Sequence, residues 1–359
     1  MKKRILAVLI ATALAVSVTG CAGNATSSSD STSASSVAES SDTSTQTSSD
    51  ASSEDESKEE SSQEESKDLE ANYTKYTLDG DLTQHMIDMS RLNEGNKVRL
   101  ANVIKKLKNG EEVTVGFIGG SITQGTSAGN DLCYAKLTAD WLQKTYSNAK
   151  INYVNAGIGA TGSYIGVHRV ENDLLSKKPD LVFVEFSVND TTENTERNKK
   201  SYDGLLRTIW KSSTNPAIIT IATTQEDGTS FQDQHAEIVK HYDLPMISYR
   251  NTILDTIKHG DIVWKDISDD NIHPNVPGHK IVSQLLQAYI SDVDKDVDNI
   301  SGSESDFTTP ATDAPIENGS LIQPSSATDV TATGAFGNYE QQFGGFDGFW
   351  LFKGTSGGG

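Results

Sequence analysis

Four short stretches carry residues of the types that acyl transfer requires. GFIGGSITQG, residues 116–125, sets Ser121 behind two glycines at the end of an apolar run. NAGIGATGS, residues 155–163, is a small-residue loop after a second apolar run. Ser187, Val188, Asn189 and Asp190 follow a third, and DDNIHPNVPGH, residues 269–279, holds two acids ahead of His273. A serine that attacks an ester needs a base to take its proton, a group to orient that base, and donors for the oxyanion. His273 is the candidate base. Asp270, three residues earlier in a tight loop, is close enough to accept from the imidazole Nδ1–H and fix the tautomer. Asp269 is the alternative orienter. The Asn189 amide can donate to an oxyanion, and so can the backbone N–H of Ser121 and one from the glycine-rich loop. Gly119 and Gly120 let the backbone approach a substrate closely and put the serine on a sharp, strained turn.

These stretches need a scaffold that brings them together, and the hydrophobic rhythm supplies one. Apolar runs at 113–118, 151–154, 181–186, 217–222 and 245–249 read as strands. Helical spacing marks 96–107, 131–146, 163–175, 201–211, 231–241 and about 277–293, with Pro277 suited to a first turn and Asn109-Gly110 as a stop signal. The run at 181–186 is nearly all apolar, as a strand buried on both faces requires. Strands alternating with helices argue for a parallel sheet covered on both sides. In such sheets ligands bind beyond the carboxyl ends of the strands. Ser121, the 155–163 loop and Asn189 each follow a strand, and the loop before the last helix carries His273, so all four belong at one rim.

The pattern resembles the SGNH (GDSL-type) hydrolases, whose four separated blocks carry Ser, Gly, Asn and His. GGSIT matches the serine block, FSVND the asparagine block, and Asp270-Asn271-Ile272-His273 the D-x-x-H block; the likeness covers about residues 96–293. It implies a flavodoxin-like three-layer α/β/α sandwich with a parallel sheet, and ester hydrolysis without a metal or cofactor. It assigns Ser121 as nucleophile, His273 as base, Asp270 as orienter and Asn189 as oxyanion donor. Two positions depart from the pattern. Gly120 stands where the family name has Asp. The glycine of the second block falls on Ala160, with Gly159 beside it, and either backbone N–H can serve as the donor.

The ends of the chain are of another character. Residues 1–21 have a basic start, an apolar stretch too short for a comfortable span, and Val18-Thr19-Gly20-Cys21, which resembles a bacterial lipobox with Cys21 as the lipidated residue. Residues 22–70 are almost entirely Ser, Thr, Ala, Asp and Glu, and read as a disordered tether. The expected division is therefore signal and lipid anchor, tether, a hydrolase domain at 71–297, a linker at 298–335, and a Gly/aromatic tail at 336–359. That tail is either a free end or the start of a β-rich module, and its aromatics could stack on sugar rings. Much of the formal charge of −20 lies in the tether, and no basic stripe offers a surface to nucleic acid. Cys133 is the second of two cysteines, which excludes a disulfide framework and a cysteine-rich zinc site. No metal is expected: His168, His235, His241 and His259 show no acidic partner at ligand spacing, and His279 reads as a packing residue. The expected protein is a surface esterase on the outer face of a bacterial membrane. It would take acyl, chiefly acetyl, groups from a polysaccharide or another small ester. A lysophospholipase or general short-chain esterase, and a noncatalytic carbohydrate-binding protein, are the alternatives.

Overall fold

The computed structural model describes residues 73–191, 194–317, 319, 321–322 and 351–352. Cys21, the tether at 22–70 and most of the tail lie outside the described residues.

The parallel strands are β2 (Glu112–Gly119), β3 (Lys150–Gly157), β4 (Leu181–Glu185), β5 (Ala217–Ala222) and β6 (Met246–Ser248), joined by β1 (Arg91–Asn93). Their order across the sheet is β1-β6-β5-β4-β2-β3, with β1 antiparallel to β6 and every other pairing parallel. β2 thus lies between β3 and β4, and the strand order reverses there. This is the flavodoxin-like three-layer sandwich, and that reversal is where open α/β sheets form their crevice.

Alternation along the strands feeds two cores. Leu181 and Phe183 face one side with Phe117 and Val115, while Val182 and Val184 face the other with Ile118 and Ala156. The first side is covered by α1 (Gln84–Ser90), α2 (Val98–Lys108), α4 (Tyr134–Thr145), α8 (Tyr249–Lys258) and α10 (Val276–Lys295); α3 (Ser121–Gln124) and α9 (Trp264–Ile267) are short. The second is covered by α5 (Ser163–Asp173), α6 (Thr195–Trp210) and α7 (Gln232–His241). Local chemistry sets the boundaries. Asn275 caps α10 by accepting from Gly278 N–H, with a proline in its first turn. Gly110, at φ +76°, ends α2 in the left-handed region that favours glycine.

The expected linker is corrected by the structure. From residue 298 as far as Glu317 the chain is seated on the domain: Ile300 packs on the first core, Ser303 O accepts from Asn96 and Glu304 pairs with Arg99, and from Phe307 onward the chain lies against α6 and the end of α7. Phe307 is buried, its ring stacked 3.9 Å from Tyr242 and 4.5 Å from Trp210. The Asp203 carboxylate accepts from Thr312 N–H and hydroxyl, both at 2.7 Å, and Glu317 pairs with Arg207 and Lys211. One aromatic anchor and complementary charges hold a stretch whose composition alone reads as solvated. Further on, Leu321–Ile322 pairs antiparallel with Leu351–Phe352.

Candidate active site

Ser121 opens α3 directly after β2, with Gly120 as its cap at φ −86°. The turn lies outside the left-handed region, so the strain expected of it is not there. Crowding explains the glycine instead: a methyl group at Gly120 would fall 2.0 Å from Asn189 Oδ1. The same crowding leaves no room for the Asp of the family name. Asn189 follows β4 in a single 3₁₀ turn, Asn189–Thr191, so these contacts join the serine and asparagine blocks across the strand-order reversal. The glycine block comes in from β3: a methyl at Gly159 would lie 3.8 Å from Ser121 Cβ.

His273 completes the convergence. Its Nε2 is 2.9 Å from Ser121 Oγ and its Nδ1 is 2.8 Å from Asp270 Oδ2. Asp269 is exposed, and the ring's partner is Asp270. Burial pushes the Asp270 carboxyl up, but the His273 and Ile272 amides and the His273 ring outweigh it and hold it below its ordinary value. The carboxylate therefore stays charged where an imidazole would take a proton. A hydroxyl, an imidazole and a carboxylate in line can carry a proton from oxygen to nitrogen while the ring is held in one tautomer.

The two candidate oxyanion amides differ. Gly159 N–H already donates to Gln124 Oε1 at 2.9 Å. Ala160 has φ +58°, a left-handed conformation that an alanine adopts at a cost and that explains glycine at this place in the family pattern.

The model of the GDSL-like lipase/acylhydrolase family matches residues 117–281, from the β2 end that leads to Ser121 to the first turns of α10. The chain carries a domain of that family. No curated protein matches it. Among solved structures it is similar to a two-domain esterase active on acetylated mannans, at 37% identity, covering 67% of this chain and 64% of that one with a TM-score of 0.64. A structure of a two-domain esterase of the same activity, co-crystallised with mannopentaose, matches at 37% identity over 66% of this chain and 63% of that one, with a TM-score of 0.61. The chain thus spans less than two thirds of the length of these relatives.

Several side chains that position the GDSL-like site escape a reading of the sequence. The buried Arg169 donates to Gly119 O at 3.0 Å and Ala156 O at 2.6 Å, tying the ends of β2 and β3 together. Its place within the apolar phase of α5, between Val167 and Val170, is the only signal it leaves. Asp190 accepts from Ser163 N–H at 2.8 Å and meets His235 Nε2 at 2.9 Å, linking the asparagine loop to the start of α5. Ser268 donates to Asp270 O and His273 O at 2.8 and 2.7 Å, and Trp264 Nε1–H donates to Asp270 O at 2.6 Å, closing the histidine loop on itself. His279 is buried between Tyr134 N–H, which donates to its Nδ1, and Thr126 O; burial lowers it to about 4, so it stays neutral.

The expectation that the remaining histidines lack acidic partners is corrected at two places. His235 has Asp190, 45 residues away and brought close only by the fold. His259 has Asp255, one turn earlier on α8, a helix that the strand pattern around it conceals.

Proposed function

We propose that the chain is a serine esterase that removes acetyl groups from a carbohydrate polymer. The observation that carries this reading is the continuous hydrogen-bonded line from Ser121 Oγ through His273 to Asp270, at 2.9 and 2.8 Å. Ser121 Oγ attacks the acetyl carbonyl while His273 Nε2 takes its proton, and Asp270 steadies the imidazolium. The oxyanion is held by Ser121 N–H, by Asn189 and by Ala160 N–H, since the amide of Gly159 is spent on Gln124. His273 then gives the proton to the sugar oxygen as its bond to the acetyl carbon breaks, which leaves Ser121 acetylated, and a water activated by the same ring releases acetate from Ser121. The carbohydrate is supported by likeness to an esterase active on acetylated mannans, and by an open rim on which the Asp270 side chain is 46% exposed. An acetyl group borne on a long chain can reach such a rim without the chain itself entering a pocket.

Within this reading Cys21 carries a lipid and the 22–70 segment stands the domain off the outer face of the membrane. Support comes from the lipobox-like Val18-Thr19-Gly20-Cys21; among the described residues no helix is long and apolar enough to cross a membrane.

The test is acetate release from acetylated mannan, acetylated xylan and acetylated peptidoglycan, beside lysophospholipid and p-nitrophenyl acetate. Release from polymer is expected, with Ser121→Ala lowering it by about 10³–10⁶-fold at unchanged thermal stability. Fatty-acid release from lysophospholipid alone would move the substrate class, and full activity in Ser121→Ala would overturn the mechanism.

A further inference from the structure

We propose that His85, Asp255 and His259 form a site for one divalent transition-metal ion of the zinc class. His85 is buried on α1, while Asp255 and His259 stand one turn apart at the carboxyl end of α8. His85 Nε2 is 2.6 Å from Asp255 Oδ2, His259 Nδ1 is 3.3 Å from that oxygen, and the three donor atoms lie within 4.8 Å of one another. A tetrahedral ion with bonds of about 2.0–2.2 Å sets its donors about 3.3–3.6 Å apart. The His259–Asp255 separation already lies in that range, and the His85–Asp255 contact needs to open by about 1 Å or less. His259 Nδ1 also donates to the Asp255 carbonyl oxygen at 3.0 Å, so the ion must displace that proton before each imidazole coordinates through the nitrogen that faces Asp255 and carries its proton on the other.

The donor set selects the ion. Two imidazole nitrogens and one carboxylate oxygen suit zinc, copper, nickel or cobalt, whereas calcium and magnesium call for more oxygens. The surroundings suit a fixed geometry. Tyr73 stacks on the His259 ring at 4.2 Å and meets His85 edge-on at 5.5 Å, while its hydroxyl donates to Asp261 at 2.6 Å. The side chains of Asp255 and His259 are 11% and 17% exposed, which leaves an entry path and a place for a water as fourth ligand. None of the three residues belongs to the loops that carry Ser121, Asn189 or His273. The ion would clasp α1, the first described helix of the domain, onto α8, beside the hydrogen bond from Thr252 Oγ1 to Met86 O.

The experiment is calorimetric titration of the metal-stripped full chain, made without an affinity tag, with zinc sulfate, paired with thermal unfolding. One equivalent is expected to bind. At zinc about 100 times its dissociation constant the unfolding midpoint rises by about 5 °C or more. His259→Gln and Asp255→Asn each lower affinity tenfold or more and abolish the rise, while His259→Gln leaves acetate release unchanged; His273→Gln keeps the full equivalent. Because His85 is buried and its variant is exposed to misfolding, the two α8 variants decide the outcome. Absence of binding, or binding that survives in both α8 variants, would overturn the site and leave the trio a hydrogen-bonded clasp.

Discussion

Two imidazole–carboxylate pairs in this domain have nearly the same length and opposite surroundings. His273 and Asp270 meet at 2.8 Å on the rim, with side chains 21% and 46% exposed, and the far nitrogen of the ring reaches Ser121 Oγ. His235 and Asp190 meet at 2.9 Å with both side chains essentially sealed from solvent. There the ring stacks 3.6 Å from Tyr202, and its Nδ1 has no hydrogen-bond partner. The pair itself therefore does not confer reactivity. What differs is the third group: a hydroxyl open to substrate in one case, an aromatic wall in the other. In the mechanism proposed above the rim pair passes a proton, whereas the buried pair holds the asparagine loop against α5.

Replacing each pair in turn breaks the comparison most sharply. His273→Ala is expected to lower acetate release by about 10³–10⁶-fold, because the hydroxyl loses its base. Stability should fall by only about 1 kcal/mol, since the His273 ring is half-buried at the rim, where water can replace it. Kinetics beside urea unfolding of the same sample measures both. A variant that unfolded easily yet kept its activity would reverse the roles given to the two pairs.

Asp190→Ala should show the complementary profile. It strips the acceptor from Ser163 N–H and from His235 Nε2, two donors in a place water does not reach. Each stranded donor costs about 1–3 kcal/mol, so a loss of about 2–6 kcal/mol is expected by urea unfolding. Turnover falls far less than in His273→Ala, because Asn189 is displaced but not removed. A stability unchanged within error would mean that the buried pair contributes no positioning.

The same contrast explains what the sequence discloses. Asp270 and His273 are three residues apart in a loop, so their partnership is legible from spacing alone. The strands at 113–118, 181–186 and 217–222 are legible because parallel strands buried on both faces read as nearly continuous apolar runs. Asp190 and His235 are ordinary helix-start and helix residues until the sheet brings them together. The α8 helix is hidden because it begins at Tyr249, immediately after the three-residue β6, where the expected strand at 245–249 runs over the boundary. The chain from 298 to 317 reads as a linker because its hold on α6 depends on one ring, Phe307, and on charges that find partners only in three dimensions. Periodicity reports burial by many neighbours; it is silent about a single anchor.

Glu185 sharpens the comparison from between the two pairs. It ends β4, fully buried, below the loop that leads to Asn189. Oε1 accepts from Thr223 Oγ1 at 2.7 Å and from Ser187 N–H and Oγ at 3.2 Å, whereas Oε2 is buried with no hydrogen-bond partner. Burial pushes the carboxyl up to about 7, the donors from Thr223 and Ser187 pull against it, and the Asp190 carboxylate adds to the rise. Because this value lies above the ordinary 4.5, the folded state holds the proton that the unfolded chain gives up first. The stabilisation is thus complete below pH 4.5 and is lost as pH rises through 7. Glu185→Gln keeps the shape and removes the titration. Relative to the parent, its stability should climb between these limits by up to about 3 kcal/mol and level off beyond them. Urea unfolding of both proteins across that range reads the difference directly. A difference that stays flat would mean the carboxylate ionises in the fold without cost, and that a donor or cation compensates Oε2 after all.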